Sequence, residues 1–132
     1  MAIKFNPILV VIVTVLLHVS NARNIWKEAP QPIAGGWKTI TNITDEVIEI
    51  GKFTVDEHNK EAHTFLEFQN VINGASQVVE GINYRLTITA MEENMSHLYL
   101  AKVWVKPEGT SKNLTYFEKC KEYNRMTVCT YN

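Results

Sequence analysis

Two cysteines and four histidines carry whatever nucleophilic or metal-binding potential this chain has, and their spacing argues against both uses. A catalytic thiol works as a thiolate held beside a histidine. No histidine lies near Cys120 or Cys129 in sequence, and His58 and His63 stand five apart with His97 distant. No His-Glu-x-x-His, Gly-x-Ser-x-Gly or paired-cysteine metal spacing occurs. The expectation is a protein that is not an enzyme, holds no metal and needs no cofactor. A different chemistry, one of shape, is offered by Gln77-Val78-Val79-Glu80-Gly81. Two stiff β-branched side chains lose little rotamer freedom when buried against a partner. The glycine after them can take a positive φ at no steric cost. Two readings of the valines stand open: an apolar tip offered to a cleft, or turn chemistry with no partner, in which Gln77 caps a strand.

The elements around this segment place it at a hairpin. Val47, Ile50, Gly51, Thr54, Val55 and His58 recur at helical spacing, which predicts one helix over about 45–61. Asp45, Glu46 and Glu49 sit in its first turns, where the helix dipole favours negative charge, and Thr44 or Asp45 can cap it. Trp37 to Ile40 reads as a strand-like lead-in. After the helix the pattern is one of strands: Phe65 to Ile72, Tyr84 to Ala90, Leu98 to Val105 and Leu114 to Phe117. Turn signals are Asn73-Gly74, Gly81, Glu93-Asn94 and Pro107-Glu108-Gly109. One early helix followed by an antiparallel meander is an α+β domain whose sheet wraps the helix. Gln77 to Gly81 then projects as a loop from one end of the sheet.

Length and composition fit a single ordinary domain: 132 residues, 45% hydrophobic and 20% charged. The first 22 residues differ. Lys4 precedes an apolar run, Pro7 to Leu17, which closes on Ser20-Asn21-Ala22. A positive start, apolar middle and small-residue exit describe a secretory signal peptide; the alternative, a membrane anchor, would need a longer apolar run. Cleavage after Ala22 leaves 12 basic against 14 acidic residues, a net charge of −2. A near-neutral chain without a basic patch is not expected to bind nucleic acid or a membrane surface. Residues 23–36, with Pro30 and Pro32, read as an extended arm that ends at Gly35-Gly36. Secretion also gives meaning to three glycosylation sequons, at Asn42, Asn94 and Asn113. In an oxidising compartment the simplest pairing is Cys120 with Cys129, closing a ten-residue loop for about 2.5–3 kcal/mol. Pairing of a cysteine with another chain is the alternative.

Ile50-Gly51-Lys52-Phe53-Thr54-Val55-Asp56-Glu57-His58-Asn59 looks like the helix signature of the plant cystatins, and Gln77 to Gly81 matches the Gln-x-Val-x-Gly motif of cystatins at every specified position. Gly35-Gly36 stands where that family has its N-terminal glycine, and a tryptophan strand follows in the same order. From about residue 33 to 119 the chain resembles the plant cystatins, inhibitors of papain-like cysteine proteases. The resemblance implies the cystatin fold, one α-helix wrapped by a four- to five-stranded antiparallel sheet. It implies that Gln77, Val78, Val79, Glu80 and Gly81 wedge into the protease groove near its catalytic cysteine. Ile33 and Ala34 would enter the non-primed subsites, while Gly35 or Gly36 turns the backbone away from the nucleophile. A second loop, Pro107-Glu108, would complete the contact. Expected partners are papain-like proteases of the plant itself, of an insect or of a pathogen. The expected location is extracellular, with the vacuole as alternative, and the expected state a monomer, with a domain-swapped dimer as alternative.

Two departures qualify the resemblance. Plant cystatins usually carry Pro-Trp in the second loop, whereas Glu108 follows Pro107 here. Trp104 matches the family's earlier strand tryptophan, which is expected to pack within the protein. Losing an interfacial tryptophan costs about 2 kcal/mol or more, which predicts weaker or more selective inhibition. Residues 120–132 form a short extension, expected as a disulfide-closed hairpin turning near Tyr123-Asn124-Arg125. The competing reading of the whole is a secreted, non-inhibitory cystatin-fold binding or storage protein.

Overall fold

A computed structural model describes residues 35–109 and 111–132. The predicted signal segment and most of the arm, including Ile33 and Ala34, lie outside the described residues. Strand β1 (Trp37–Thr39) leads into helix α1 (Asp45–Ala62), and then come β2 (Glu67–Val79), β3 (Gly81–Glu92), β4 (Met95–Val105) and β5 (Lys112–Lys119). These five strands form one antiparallel sheet in the order β1-β2-β3-β4-β5. A second, two-stranded sheet is made by β6 (Lys121–Tyr123) and β7 (Met126–Val128). One helix against a five-stranded antiparallel sheet is the expected α+β architecture.

The helix forms where its apolar period predicts. Val47, Ile50, Gly51, Thr54 and Val55 are its buried residues. Thr44 is the cap: the Val47 N–H donates to its Oγ1 at 3.4 Å. The helix ends at His63 in the left-handed conformation, φ 54°. Asn59 then ties that end to the sheet. Its side-chain oxygen accepts from the Leu66 N–H at 2.9 Å and its amide donates to the Leu66 carbonyl at 2.9 Å. Gly51 seats the helix on β2, because a β-carbon there would stand 2.7 Å from Val71 Cγ2 and 2.9 Å from Phe68 Cε2. The core beneath consists of Val47, Ile50 and Val55 against Val71, Leu86, Ile88, Tyr99 and Val103.

Strand β2 differs from the sequence expectation. Asn73-Gly74 is no turn; it lies inside a strand that runs unbroken to Val79. Register shifts occur between Phe68 and Asn70 and between Val71 and Asn73. Each bulge adds a residue and resets which face the following side chains take. Leu66 and Val71 are therefore both buried despite their odd spacing, while Ile72 is turned out. Gly74 needs no turn to explain it: a β-carbon would meet Leu86 Cδ2 at 2.6 Å and the Arg85 carbonyl oxygen at 2.8 Å. Glu93 and Asn94 do turn β3 into β4, with φ of 48° and 67°, the positive pair of a type I′ hairpin. Asn124 and Arg125 repeat that geometry between β6 and β7.

The Cys120–Cys129 disulfide closes the C-terminal hairpin. Beyond it the tail returns over the sheet face opposite the helix. There the Tyr131 hydroxyl donates to the Leu86 carbonyl at 3.4 Å. Tyr131 also stacks obliquely on Tyr116, with ring centroids 5.6 Å apart.

His58 joins α1 to β5 by stacking on Phe117, ring centroids 4.0 Å apart. Burial lowers its pKa below 6.5, and the nearby Glu61 carboxylate offsets part of this. The fold thus favours the neutral imidazole. The associated stability is present above the unfolded pKa of about 6.5 and is lost as pH falls through the lower folded value. Melting temperature is expected to fall as pH is lowered from 7 to 5. His58→Phe should flatten that slope, and an unchanged slope in scanning calorimetry would assign the acid sensitivity elsewhere.

Candidate functional site

Three chain segments meet at one end of the sheet. Glu80 alone joins β2 to β3, since Val79 already pairs with Gly81. Gln77, Val78 and Val79 are therefore strand residues, and the projecting feature is tighter than the five-residue loop read from the sequence. Val78 is 61% exposed and Val79 40% exposed. Phe65, Ile72 and Met95 are exposed as well; the valines differ in being adjacent and at the end of a strand.

Gly81 is where the backbone permits this turn. Its φ is 84°, and a β-carbon would stand 2.2 Å from the Val105 carbonyl oxygen and 3.1 Å from Trp104 Nε1. The first turn thus lies directly against the end of β4. From there the Trp104 indole donates to the Glu80 carbonyl at 2.8 Å, so this tryptophan packs within the protein, as expected. The chain then enters Pro107–Gly109, with Glu108 exposed at φ 71° and ψ 2°. The second turn is closed by the Gly109 N–H donating to the Lys106 carbonyl at 3.1 Å and the Lys106 N–H to the Ser111 carbonyl at 2.9 Å.

The third segment is the end of the arm. Gly35, at φ 103°, offers its carbonyl to the Gln77 side-chain amide. The other end of that amide accepts from Asn83 Nδ2 at 3.1 Å. Gln77 thus holds Gly35 and β3 together, and Gly36 runs straight into β1, where Trp37 pairs with Gln77. Gln77 caps no strand end. Its side chain bridges Gly35 and Asn83 beside the valines. Asn83 escaped the sequence reading. The available signal was symmetry, because a turn centred on Glu80 puts Asn83 opposite Gln77.

The tip carries two exposed carboxylates, Glu80 and Glu108, and neither forms an ion pair among the described residues. Lys106 approaches the Trp104 ring at 5.9 Å. The sequon asparagines Asn42, Asn94 and Asn113 are all exposed. Asn42 and Asn94 lie outside the strands. Asn113 is the second residue of β5 and pairs with Trp104. No group of three or more metal-ligating side chains occurs among the described residues.

The Gly81 contact generates a direct prediction. Gly81→Ala should destabilise the fold by about 1–3 kcal/mol, because a positive φ and the Val105 carbonyl both resist the added methyl. Trp104 fluorescence should shift as its bond to Glu80 is lost. A variant with unchanged melting temperature and emission would show that the two turns are not packed as described.

A protein-family model described as "Aspartic acid proteinase inhibitor" matches residues 40–120. The chain is 49% identical over 86 residues to "Cysteine proteinase inhibitor 5" of Arabidopsis thaliana, which covers 64% of this chain and 70% of that protein. It is 36% identical over 113 residues to "Cystatin-1" of Zea mays, covering 81% of this chain and 84% of that one. Among solved structures, a salivary cystatin from the soft tick Ornithodoros moubata superposes with a TM-score of 0.56 at 19% identity. That match covers 66% of this chain and 98% of the tick protein, and it bears on the fold alone. With its helix signature, its Gln77-to-Gly81 turn and these relatives in agreement, the chain belongs to the plant cystatin family.

Proposed function

We propose that this protein is a secreted, reversible inhibitor of papain-like cysteine proteases. The observation that carries the reading is the tip itself: Val78 and Val79 are exposed on a turn that hydrogen bonds already tie to Gly35 on one side and to β4 on the other. A preformed tip spends little entropy on docking. Its apolar centre and the polar turn beside it have the character of an inhibitor that fills a cleft. The arm residues Ile33 and Ala34 would occupy the groove on the Gly35 side, and Pro107-Glu108 would rest on the opposite wall. No scissile peptide need reach attack geometry, so the protease is blocked without cutting the inhibitor. Interfaces of this class bury roughly 1,600 Å² in total and can be very tight.

The names of the relatives support the cysteine-protease assignment. Secretion rests on the N-terminal pattern, and with it an extracellular or vacuolar location and glycans at Asn42, Asn94 and Asn113. A second reading, inhibition of an aspartic protease, is favoured by the description of the matched family.

The test is a titration of papain and of pepsin with protein collected from a host secreting the full chain. Competitive inhibition of papain in the nanomolar range or below is expected, with pepsin unaffected. Inhibition of pepsin alone would transfer the activity to the second reading. Inhibition of neither would leave a non-inhibitory member of the family. Glu108→Trp should tighten papain binding roughly thirty-fold by restoring an aromatic anchor; an unchanged inhibition constant would remove the second loop from the contact. Val78→Asp should weaken inhibition by a hundred-fold or more, because a charge would enter an apolar contact.

A further inference from the structure

The sheet face opposite the helix carries a cross-strand pair that protein chains ordinarily avoid. Arg85 on β3 and Lys102 on β4 stand directly opposite each other in register. Like charges in that position destabilise a sheet, and neither forms an ion pair with a carboxylate among the described residues. Both are partly buried. Aromatic rings surround them instead. The Arg85 guanidinium lies 4.5 Å from the Trp37 ring centre. Lys102 Nζ lies 5.3 Å from the ring of Tyr116, its neighbour on β5, and 4.7 Å from that of Tyr131. Rings hold cations in place without neutralising them, so the positive charge stays available. Violations of a local rule of this kind collect at functional sites.

Arg85 lines a cleft of about 310 Å³ together with Tyr131, Thr39, Asn73 and Thr87 among others, and Lys102 reaches it only across the Tyr131 ring. Its walls combine a cation, a flat ring and neutral hydroxyl and amide groups. Arg85 and Thr87 come from β3, an interior strand hydrogen-bonded on both sides, to β2 and to β4, so a ligand resting on Arg85 meets the sheet face and not a strand edge. Recognition at Arg85 is therefore by side chains. Hydroxyls and an amide suit a polyhydroxylated ligand, the ring suits a sugar face, and the guanidinium suits a carboxylate, which it can grip with two parallel bonds.

We infer that this face is a binding site for an acidic saccharide, a uronic acid oligomer, with its carboxylates on Arg85 and Lys102 and a sugar ring against Tyr131. The site is separated from the turn along the strands, since Arg85 pairs with Ala75, four residues before Val79 on β2, and its binding is proposed to be independent of protease inhibition. It would let the protein be retained on acidic polysaccharide while its tip remains free.

The experiment is calorimetric titration of the secreted protein with α-1,4-linked trigalacturonate at low salt. Its fully methyl-esterified form and a hexaglutamate peptide are titrated in parallel. Trigalacturonate is expected to bind, with affinity falling as sodium chloride is raised, and the ester to bind at least ten-fold more weakly. Lys102→Gln and Arg85→Gln should each weaken binding about ten-fold or more. Papain inhibition by Lys102→Gln should be unchanged, which also reports that the variant is folded. The ester comparison needs no variant, so the test survives if either substitution unfolds the chain. Absence of trigalacturonate binding, equal binding of the ester, or binding undiminished in folded variants would each overturn the inference. Hexaglutamate binding as tightly as the saccharide would overturn it in favour of an acidic peptide.

Discussion

One close approach governs the working end of this protein: the backbone of Gly81 lies against the carbonyl of Val105. No other residue type would allow it. Because Gly81 sits there, β3 can begin immediately after a one-residue turn, and the indole of Trp104 reaches back to the Glu80 carbonyl. Because the turn is held from behind, the two valines ahead of it need no partner of their own to stay in place. The Gln77 amide extends the same bracing to Gly35, so three segments far apart in sequence act as one rigid edge. Their apolar exposure is tolerated because the support is polar and lies behind them.

Much of this was legible in the sequence. The helix was readable because 3.6-residue periodicity over eighteen positions is a strong signal, and Thr44 marks its start as a capping residue should. Glu93-Asn94 and the Tyr123-to-Arg125 turn were readable because positive-φ hairpins favour few residue types. Asn73-Gly74 misled for the same reason. It carries the strongest short hairpin signal, yet tertiary packing uses Gly74 for close approach to Leu86 and Arg85. A glycine chosen for its missing side chain cannot be told locally from one chosen for its φ. The bulges of β2 were invisible, since nothing in Gln69 or Ile72 marks them as extra residues. At the site, the Gln77 to Gly81 motif was legible as a unit, but the partners of its polar atoms were not. Asn83, Trp104 and Gly35 are set by register, which only the folded sheet fixes.

The two faces of the sheet divide the chemistry. Facing the helix, the side chains are aliphatic and aromatic and uncharged, with Leu86, Ile88 and Ala90 losing all contact with water. On the other side Trp37, Arg85, Lys102, Tyr116 and Tyr131 alternate ring and charge. The tail beyond Cys129 is part of that second layer. Tyr131 is half-buried there, and that burial pushes its phenol up to about 12 against the opposing pull of Arg85. A single-layer sheet has thereby gained a partial cover from thirteen residues held by one disulfide.

The order of the strands also fixes the order in which they can be assembled. β2 through β5 form a meander in which every pairing joins sequence neighbours, so their loop-closure entropy is small. β1 is the exception. It must reach past an eighteen-residue helix to pair with the far end of β2, it has only three residues, and all three are exposed. A short, exposed edge strand of this kind belongs to the class of elements that open at the least free-energy cost. The edge beside Gly35 thus rests on three residue pairs and the Gln77 amide, far less than holds the rest of the sheet.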